Sequence, residues 1–339
     1  MNQTAPCAFV GLLPRLAGLL LCILCGGTAA PSHAQNAPQD GWPGRPIRVV
    51  VPFSAGGGSD MVARAFAQRL SAQLGQPIVI ENKPGAATVI GTQSVVQAAP
   101  DGYTLLLSGS TSFSINPALR KRLPYNPSRD LAPIAIVART SLALVAGHKT
   151  PWHSLPELIA AARAHPGRIR FGTFGTGSGP HLAGEMFAMA AGIRLQDIPY
   201  STTSQLVVAL NSGEVDLGIE VAGALAPQVQ AGRMRALAVL GSERSSVFPE
   251  VRTLAEQGLG EATFEAWFGL AAPARTPASV IDRLSHAVAV AAGDPEVQAA
   301  LRAQDMEPMA LGPAAFRQEA EHEISRYRAE AVRAGISLD

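Results

Sequence analysis

A strand-to-helix turn built on three glycines does most to fix what this chain can become. Residues 47–51 form a short, β-branched apolar run, the pattern of a buried strand, and Pro52 stops it. Gly56, Gly57 and Gly58 admit backbone conformations that residues with a Cβ rarely adopt. Ser59 or Asp60 then caps a helix whose apolar positions Val62, Ala65, Phe66, Leu70 and Leu74 keep helical spacing. Strand, glycine loop and helix start, in that order, aim free backbone N–H groups at one point, which suits an anion. One such turn on its own is better explained as tight packing without a ligand. Its recurrence along the chain changes that balance.

Gly75-Gln76-Pro77 turns the chain into a second strand over 78–81. A second glycine-bearing loop, 82–91, follows and leads into a helix with Val89, Val95 and Val96 among its apolar positions. A third strand, 103–107, ends in the small polar loop 108–114, and Asn116-Pro117 starts a short helix. In a parallel α/β sheet these loops share one edge, outside the carboxyl ends of the strands, where ligands bind. Ser154-Leu155-Pro156-Glu157 is a capping box opening a helix to about His165. A strand over 169–173 then feeds a fourth glycine loop, 174–181, and another helix. Residues 195–200 read as a strand, Tyr200 to Thr203 cap a helix to Leu210, and residues 215–221 form a strand carrying Glu220 near its carboxyl end. One more strand covers 235–240.

Two long apolar passages stand apart. The first, 131–145, is interrupted by Arg139-Thr140-Ser141; the second, 264–272, ends at Pro273. Both are read as strands crossing between two domains, which the length of 339 residues favours. Helices near 278–292, 295–302 and 313–333 then pack on the first domain and make it discontinuous. The expected architecture is α/β, each domain a mostly parallel sheet flanked by helices. Domain 1 is 42–140 plus 265–339, and domain 2 is 141–264.

The chain opens on a targeting signature. Arg15 precedes an apolar run over 16–25, short for a bilayer span, and Ser32-His33-Ala34 fits a processing site. A signal peptide over 1–34, cleaved after Ala34, and export to the periplasm are expected. Cys7, Cys22 and Cys25, the three cysteines, lie in that segment, so the mature chain is read as held by its core alone, without disulfides. Formal net charge is +1 and no cluster of basic residues is interleaved with aromatics, so nucleic acid is not an expected partner.

Other chemistries fit the residues poorly. The histidines His148, His153, His165, His181, His286 and His322 are read as forming no i, i+4 pair with a carboxylate, so no metal is expected. Ser178 and His181 sit close together in a glycine loop, yet Thr176-Gly177-Ser178-Gly179-Pro180 departs from a nucleophile elbow, and a capping role for Ser178 is the stronger reading. A secreted esterase-like hydrolase using Ser178 and His181 is the alternative. The glycine loops lack a phosphate-loop pattern, so no nucleotide or other cofactor is expected. What remains is a site of backbone N–H groups and hydroxyls with few formal charges, suited to a small carboxylate. Charge-assisted hydrogen bonds of about 1.5–3 kcal/mol each, with a helix-dipole contribution of about 0.3–1 kcal/mol, suffice for a micromolar ligand.

The stretches PFSAGGGSD (52–60), ENKPGAATVIG (81–91), APDGYTLL (99–106), INPAL (115–119), HLAGEMF (181–187), GEVDL (213–217), MRALAV (234–239) and WFGLAAPARTP (267–277) together carry a resemblance. From Trp42 to the C-terminus the chain resembles the Bug, or TctC-type, solute-binding receptors of tripartite tricarboxylate transport systems. The resemblance implies a periplasmic-binding-protein-like fold of type II, a two-domain "Venus flytrap" closing on a carboxylate, without catalysis. In domain 1 it implies ligand contacts from Phe53, Ser54, Ala55, Gly56, Gly57 and Asp60, and from Gly85, Ala86, Ala87 and Thr88; Ser110 is added from the small polar loop 108–114. In domain 2 it implies Gly175, Thr176, Gly177, Ser178 and His181, then Tyr200, Ser201 and Thr202, and Glu220. The implied partners are transporter subunits or a sensor-kinase ectodomain, with the receptor itself a monomer. Three departures bear on the ligand. Ser201-Thr202 stand where Lys-Gly is common, Glu220 stands where Asp is usual, and Ala86-Ala87-Thr88 follow Pro84-Gly85 where the family often reads PGAGG.

Overall fold

The computed structural model describes residues 41–334, so the expected signal peptide and cleavage site lie outside the described residues. Along the chain, β1 (Ile47–Val51) leads into α1 (Gly58–Leu74), β2 (Ile78–Asn82), α2 (Val89–Val96) and β3 (Thr104–Gly109). A π-helical turn, Thr111–Ile115, runs into the one-turn helices α3 (Asn116–Leu119) and α4 (Pro127–Asp130). The long strand β4 (Leu131–Gly147) precedes α5 (Leu155–Ala164), β5 (Arg170–Thr173), α6 (Gly179–Ala191), β6 (Gln196–Pro199), α7 (Thr203–Ser212), β7 (Leu217–Val221), α8 (Ala222–Gln230) and β8 (Met234–Val239). The chain returns through β9 (Glu265–Pro273) to α9 (Ala278–Ala292), α10 (Pro295–Arg302), β10 (Met306–Leu311) and α11 (Pro313–Ala334).

All ten strands share one sheet, in the order β2-β1-β3-β9-β4-β7-β5-β6, with β8 and β10 each paired to β4 as well. At one end β1 lies parallel to β2 and β3; at the other β5 lies parallel to β6 and β7. The centre is antiparallel, made by the two passages that cross it. At 17 residues β4 is roughly 55 Å long. It changes partner at its middle. Up to Ser141 it pairs with β9, and from Leu142 it pairs with β7, so one strand carries both halves of the sheet. The polar triplet Arg139-Thr140-Ser141 does not interrupt the strand; it sits where the partner changes.

Local chemistry accounts for the elements. The spacing in α1 buries Val62, Phe66, Leu70 and Leu74, and Gly75 ends the helix in the left-handed region at φ 70°. At α5 Ser154 Oγ accepts the Glu157 amide as N-cap, while the Glu157 carboxylate reaches back to the His153 amide, one residue before the cap that a capping box would use. In α9, Val280, Leu284 and Val288 join the core that also holds Phe66 and Leu70. Arg69 of α1 pairs with Asp294 and Glu296 at 2.9 Å each, so the C-terminal helices return to the first one. Among the described residues no helix is long and apolar enough to cross a membrane.

Four of these elements were not legible, the single turn of α4 among them. β10 carries Pro308 and lies alongside β4 as an added edge, where a missing N–H is tolerated. α8 holds Pro227 inside it and is built mostly of small residues. The π-helical turn has no sequence signature beyond its hydroxyls; it is packed by Phe113, which stacks on Trp267 at 5.6 Å and meets Phe316 edge-on at 4.9 Å.

A cavity ringed by helix starts

The carboxyl ends of the two parallel strand sets open onto one cavity of about 80 Å³. Three helix N-termini converge on it. Gly57, Gly58 and Ser59 begin α1; Gly179 and Pro180 begin α6; Thr202 and Thr203 begin α7. The first amides of a helix have no acceptor within it and carry its positive dipole end, so the ring favours a negative group. Ser110 and Thr111, where β3 enters the π-helical turn, add hydroxyls. Apolar walls come from Phe53, Leu142, Phe174 and Val221, and from the alternate residues Phe264, Ala266 and Phe268 along β9 and its approach. No Lys or Arg lines the cavity. Across it, Ser54 Oγ donates to the Ser201 carbonyl at 3.0 Å, joining the first glycine loop to the start of α7.

Glu220 is the one titratable side chain in the lining. It is only 6% exposed. Its Oε1 accepts the Val221 amide at 2.7 Å and its Oε2 accepts the Thr203 hydroxyl at 3.0 Å. Burial pushes its carboxyl up from the ordinary range, and those two donors only partly oppose it.

Of the residues expected at the site, Phe53, Ser54, Gly57, Ser110, Ser201, Thr202 and Glu220 line the cavity. The other expected residues lie outside this lining. Asp60 is buried and turned away, accepting the Gly56 amide, Arg64 Nε and Asn82 Nδ2 at 2.9–3.0 Å. It holds the turn at Gly56, where φ is 81° and Ala55 precedes it. The second loop is also scaffold. Ala86, Ala87 and Thr88 have φ of 47°, 48° and 77°, a costly run for residues with a Cβ. Asn116 Nδ2 holds the Ala87 carbonyl at 2.7 Å and Ser112 Oγ donates to Thr88 Oγ1 at 2.9 Å. The loop 84–88 departure therefore falls on a buttress behind the π-helical turn, not on the lining. Gly175 and Gly177 make the turn before α6 with φ near 89° and 88°, and Thr176 accepts Arg120 Nη2 through its carbonyl at 3.3 Å. Their neighbours Phe174 and Gly179 reach the cavity instead. Tyr200 points away, its hydroxyl donating to Glu214 Oε1 at 2.8 Å; burial and that carboxylate push it up to about 12.

The hydrolase reading fails on geometry. Ser178 Oγ accepts the His181 amide at 3.3 Å as the N-cap of α6, and His181 Nδ1 accepts the Gly177 amide at 3.4 Å. Both groups are spent on the loop, and neither lines the cavity. Three histidines do stand four from a carboxylate, in His153–Glu157, His181–Glu185 and Asp282–His286; in the second, Nε2 lies 4.0 Å from Oε1. Still, no group of three or more metal-ligating side chains occurs among the described residues.

The missed lining residues include a group whose direction depends on sheet order. Phe264, Ala266 and Phe268 have the period of a strand face, which the sequence shows; that this face turns to the cavity is set by β9 lying between β3 and β4.

A two-halved sheet around a cleft of helix starts defines a solute-binding receptor of the periplasmic-binding-protein type. The comparisons place it further. Residues 62–332 match the family model of the tripartite tricarboxylate transporter family receptor, and the chain belongs to that family. It is 36% identical to protein BugT of Bordetella pertussis over the whole of both chains. Among solved structures it is similar to the periplasmic binding protein BugD, with TM-score 0.82 and 31% identity over 87% of this chain and 99% of that one. It is also similar to Rpa4515 of R. palustris with adipate, with TM-score 0.84 and 32% identity over 88% and 99% of the two chains. MatC of Rhodopseudomonas palustris with bound malate gives TM-score 0.81 and 31% identity over 85% and 99%. The family is one of receptors, not enzymes.

Proposed function

We propose that this chain is a periplasmic receptor that captures a small organic carboxylate by closure of two lobes. The lobes are 42–140 with 265–339, and 141–264, and the hinge is the pair of crossing strands β4 and β9. The observation that carries the reading is the ring of three helix starts from both halves of the sheet around a cavity without a cationic side chain. Such a ring holds a carboxylate through amides and hydroxyls. The malate and adipate found with its relatives support the ligand class. The residues we assign to the ligand are the lining ones, with Ser54, Gly57, Ser110, Ser201, Thr202 and Glu220 among those expected from sequence. The signal peptide directs export and is cleaved after Ala34. The closed monomer then delivers its ligand to transporter subunits of the tripartite tricarboxylate type or signals through a sensor-kinase ectodomain.

A thermal-shift screen against mono-, di- and tricarboxylates, amino acids, sugars and aromatic acids tests this. A ligand at a hundred times its Kd adds about 2.7 kcal/mol, which raises Tm by roughly 5 °C in a chain of this size. A shift with a neutral sugar and none with any carboxylate overturns the reading.

A further inference from the structure

A cavity that favours an anion holds, as its one titratable side chain, another carboxyl group. Two carboxylates brought together in a space of this size repel strongly, since charges in a buried site are poorly screened. No cationic side chain in the lining offsets that repulsion, and the helix starts carry only partial charges. The charged groups on the surrounding elements are all engaged elsewhere. On α1, Asp60 is held by Arg64 and Asn82. On α6, His181 faces Glu185. On β4, Arg139 lies between Glu265 of β9 and Glu319 of α11. Asp216, at the far end of the β7 segment, is bound by Arg170 of β5. On β8, Arg235 donates to carbonyls at Thr150 and Trp152. Before β10, Asp305 accepts the Ser246 amide and hydroxyl. α7 and α8 carry no charged residue.

We propose that Glu220 receives its ligand as a neutral carboxylic acid, so that the site takes up one proton with each carboxylate it binds. The inference rests on the carboxylate reading above and names what that reading leaves open, the charge balance of the filled site. The hydrogen bonds show where the proton goes. Oε1 is fixed by the Val221 amide, so the proton belongs on Oε2, the oxygen that faces Thr203. Protonation reverses that bond. The acid donates to Thr203 Oγ1, and the Thr203 hydroxyl hydrogen becomes free for an oxygen of the ligand. Both residues line the cavity, and Thr203 is the first residue of α7, so the relayed hydrogen points from the same helix start that offers its dipole. Burial already pulls Glu220 toward the neutral form in the ligand-free protein, and a ligand carboxylate pulls it further. Since the bound form holds the proton more tightly than the free form, affinity is full below the free protein's value and falls as pH rises above it.

The test is titration calorimetry of a carboxylate panel against the mature protein from pH 6.5 to 9, where the ligands are ionised. Each pH is run in two buffers of different ionisation enthalpy to count protons. Expected is a rise in Kd approaching tenfold per pH unit over part of that range, with net uptake of a fraction of a proton rising toward one. Glu220→Gln keeps the shape and mimics the neutral acid. It is expected to bind with Kd constant within about twofold across the range, without proton uptake, and more tightly than the wild type at pH 9. Infrared difference spectra add a readout independent of affinity, since the wild type should gain the C=O stretch of a carboxylic acid on binding and Glu220→Gln should not. Flat wild-type affinity with no proton uptake overturns the proposal. So does a folded Glu220→Gln that loses binding while the wild type prefers ligands bearing an ammonium group, which would make Glu220 an anionic partner. If no carboxylate binds at any pH, the carboxylate reading itself falls, and this proposal with it.

Discussion

Gly57 and Gly58 are adjacent and both line the cavity, yet a methyl group on each should act differently. Gly57 has φ −84°, open to any residue, and a Cβ there would meet Ser54 O at 3.5 Å and Thr203 Oγ1 at 3.8 Å, both ordinary contacts. A Cβ on Gly58 would stand 2.9 Å from Val221 Cγ2 and 3.1 Å from Phe268 Cζ. Apolar contact is best at about 3.5–4.0 Å, so the neighbours must yield by roughly 0.5–1 Å. Overpacking of this kind costs about 1–3 kcal/mol. Val221 and Phe268 belong to different proposed lobes. Opening the cleft relieves the first contact and leaves the second. Gly58→Ala is therefore expected to weaken carboxylate binding by about 5- to 150-fold, the range that 1–3 kcal/mol spans, and to lower ligand-free Tm by only a few degrees. Gly57→Ala is expected to keep wild-type Tm, whereas Gly57→Val fills the space before the α1 amides and abolishes binding in a folded protein. Calorimetry with circular-dichroism melting reads both effects. Wild-type affinity in folded Gly58→Ala refutes a closing contact at Val221, and wild-type affinity in Gly57→Val refutes ligand capture by this loop's amides.

Two further substitutions test what holds the site in shape. Asp60→Ala removes the acceptor that fixes Gly56 and is expected to cost about 1–3 kcal/mol at neutral pH. Burial works against the ionised Asp60, but hydrogen bonds from Arg64, Gly56 and Asn82 outweigh it and hold the carboxyl below its usual value. The wild type's advantage over this variant, measured by urea melts, should thus close as pH falls below about 4. Glu323→Ala strands Trp267 Nε1 and the hydroxyls of Ser114 and Tyr327, all of which donate to this carboxyl, and should lower Tm by several degrees. Here burial raises the carboxyl despite those donors, so the sign reverses. The stability Glu323 contributes is full in acid and shrinks as pH rises, and a gap between wild type and variant that widens with pH would contradict the burial argument.

What could be read in advance follows the range of the interactions involved. The turn at 52–60 was legible because strand, glycines and helix start are consecutive. Which of its residues face the cavity was not, because Asp60 is claimed by Asn82, far along the chain. The loop at 84–88 was legible as a loop, but its role depends on Asn116 and Ser112, which pin its left-handed residues from the π-helical turn. Glu220 stood out because the end of a strand beside a capped helix is a place that sequence can locate. One of its two hydrogen bonds is local, to Val221; the other, to Thr203 17 residues earlier, is not legible in the same way. The aromatic wall was hidden, since a strand's alternation shows which residues share a face but not what that face meets.

That wall explains why the two crossing strands are more than connectors. Along β9 the residues alternate. Ala266 and Phe268 face the cavity, while Trp267 faces away and donates to Glu323 of α11 at 2.8 Å. Glu265, just before, accepts the Ser242 amide at 3.2 Å and approaches Arg139 of β4 at 3.9 Å, where β4 changes partner. One strand thus carries the cavity wall on one face and the anchor to the C-terminal helix on the other. Any closing motion that bends β4 near Ser141 must carry β9 with it, because the two remain paired up to Ser141 and Glu265. The buried Glu323 cluster ties the Trp267 face of β9 to α11. In the proposed closure, a carboxylate reaching Phe268 and Glu220 would act beside Ser141, where β4 changes partner, and so on both proposed lobes at once.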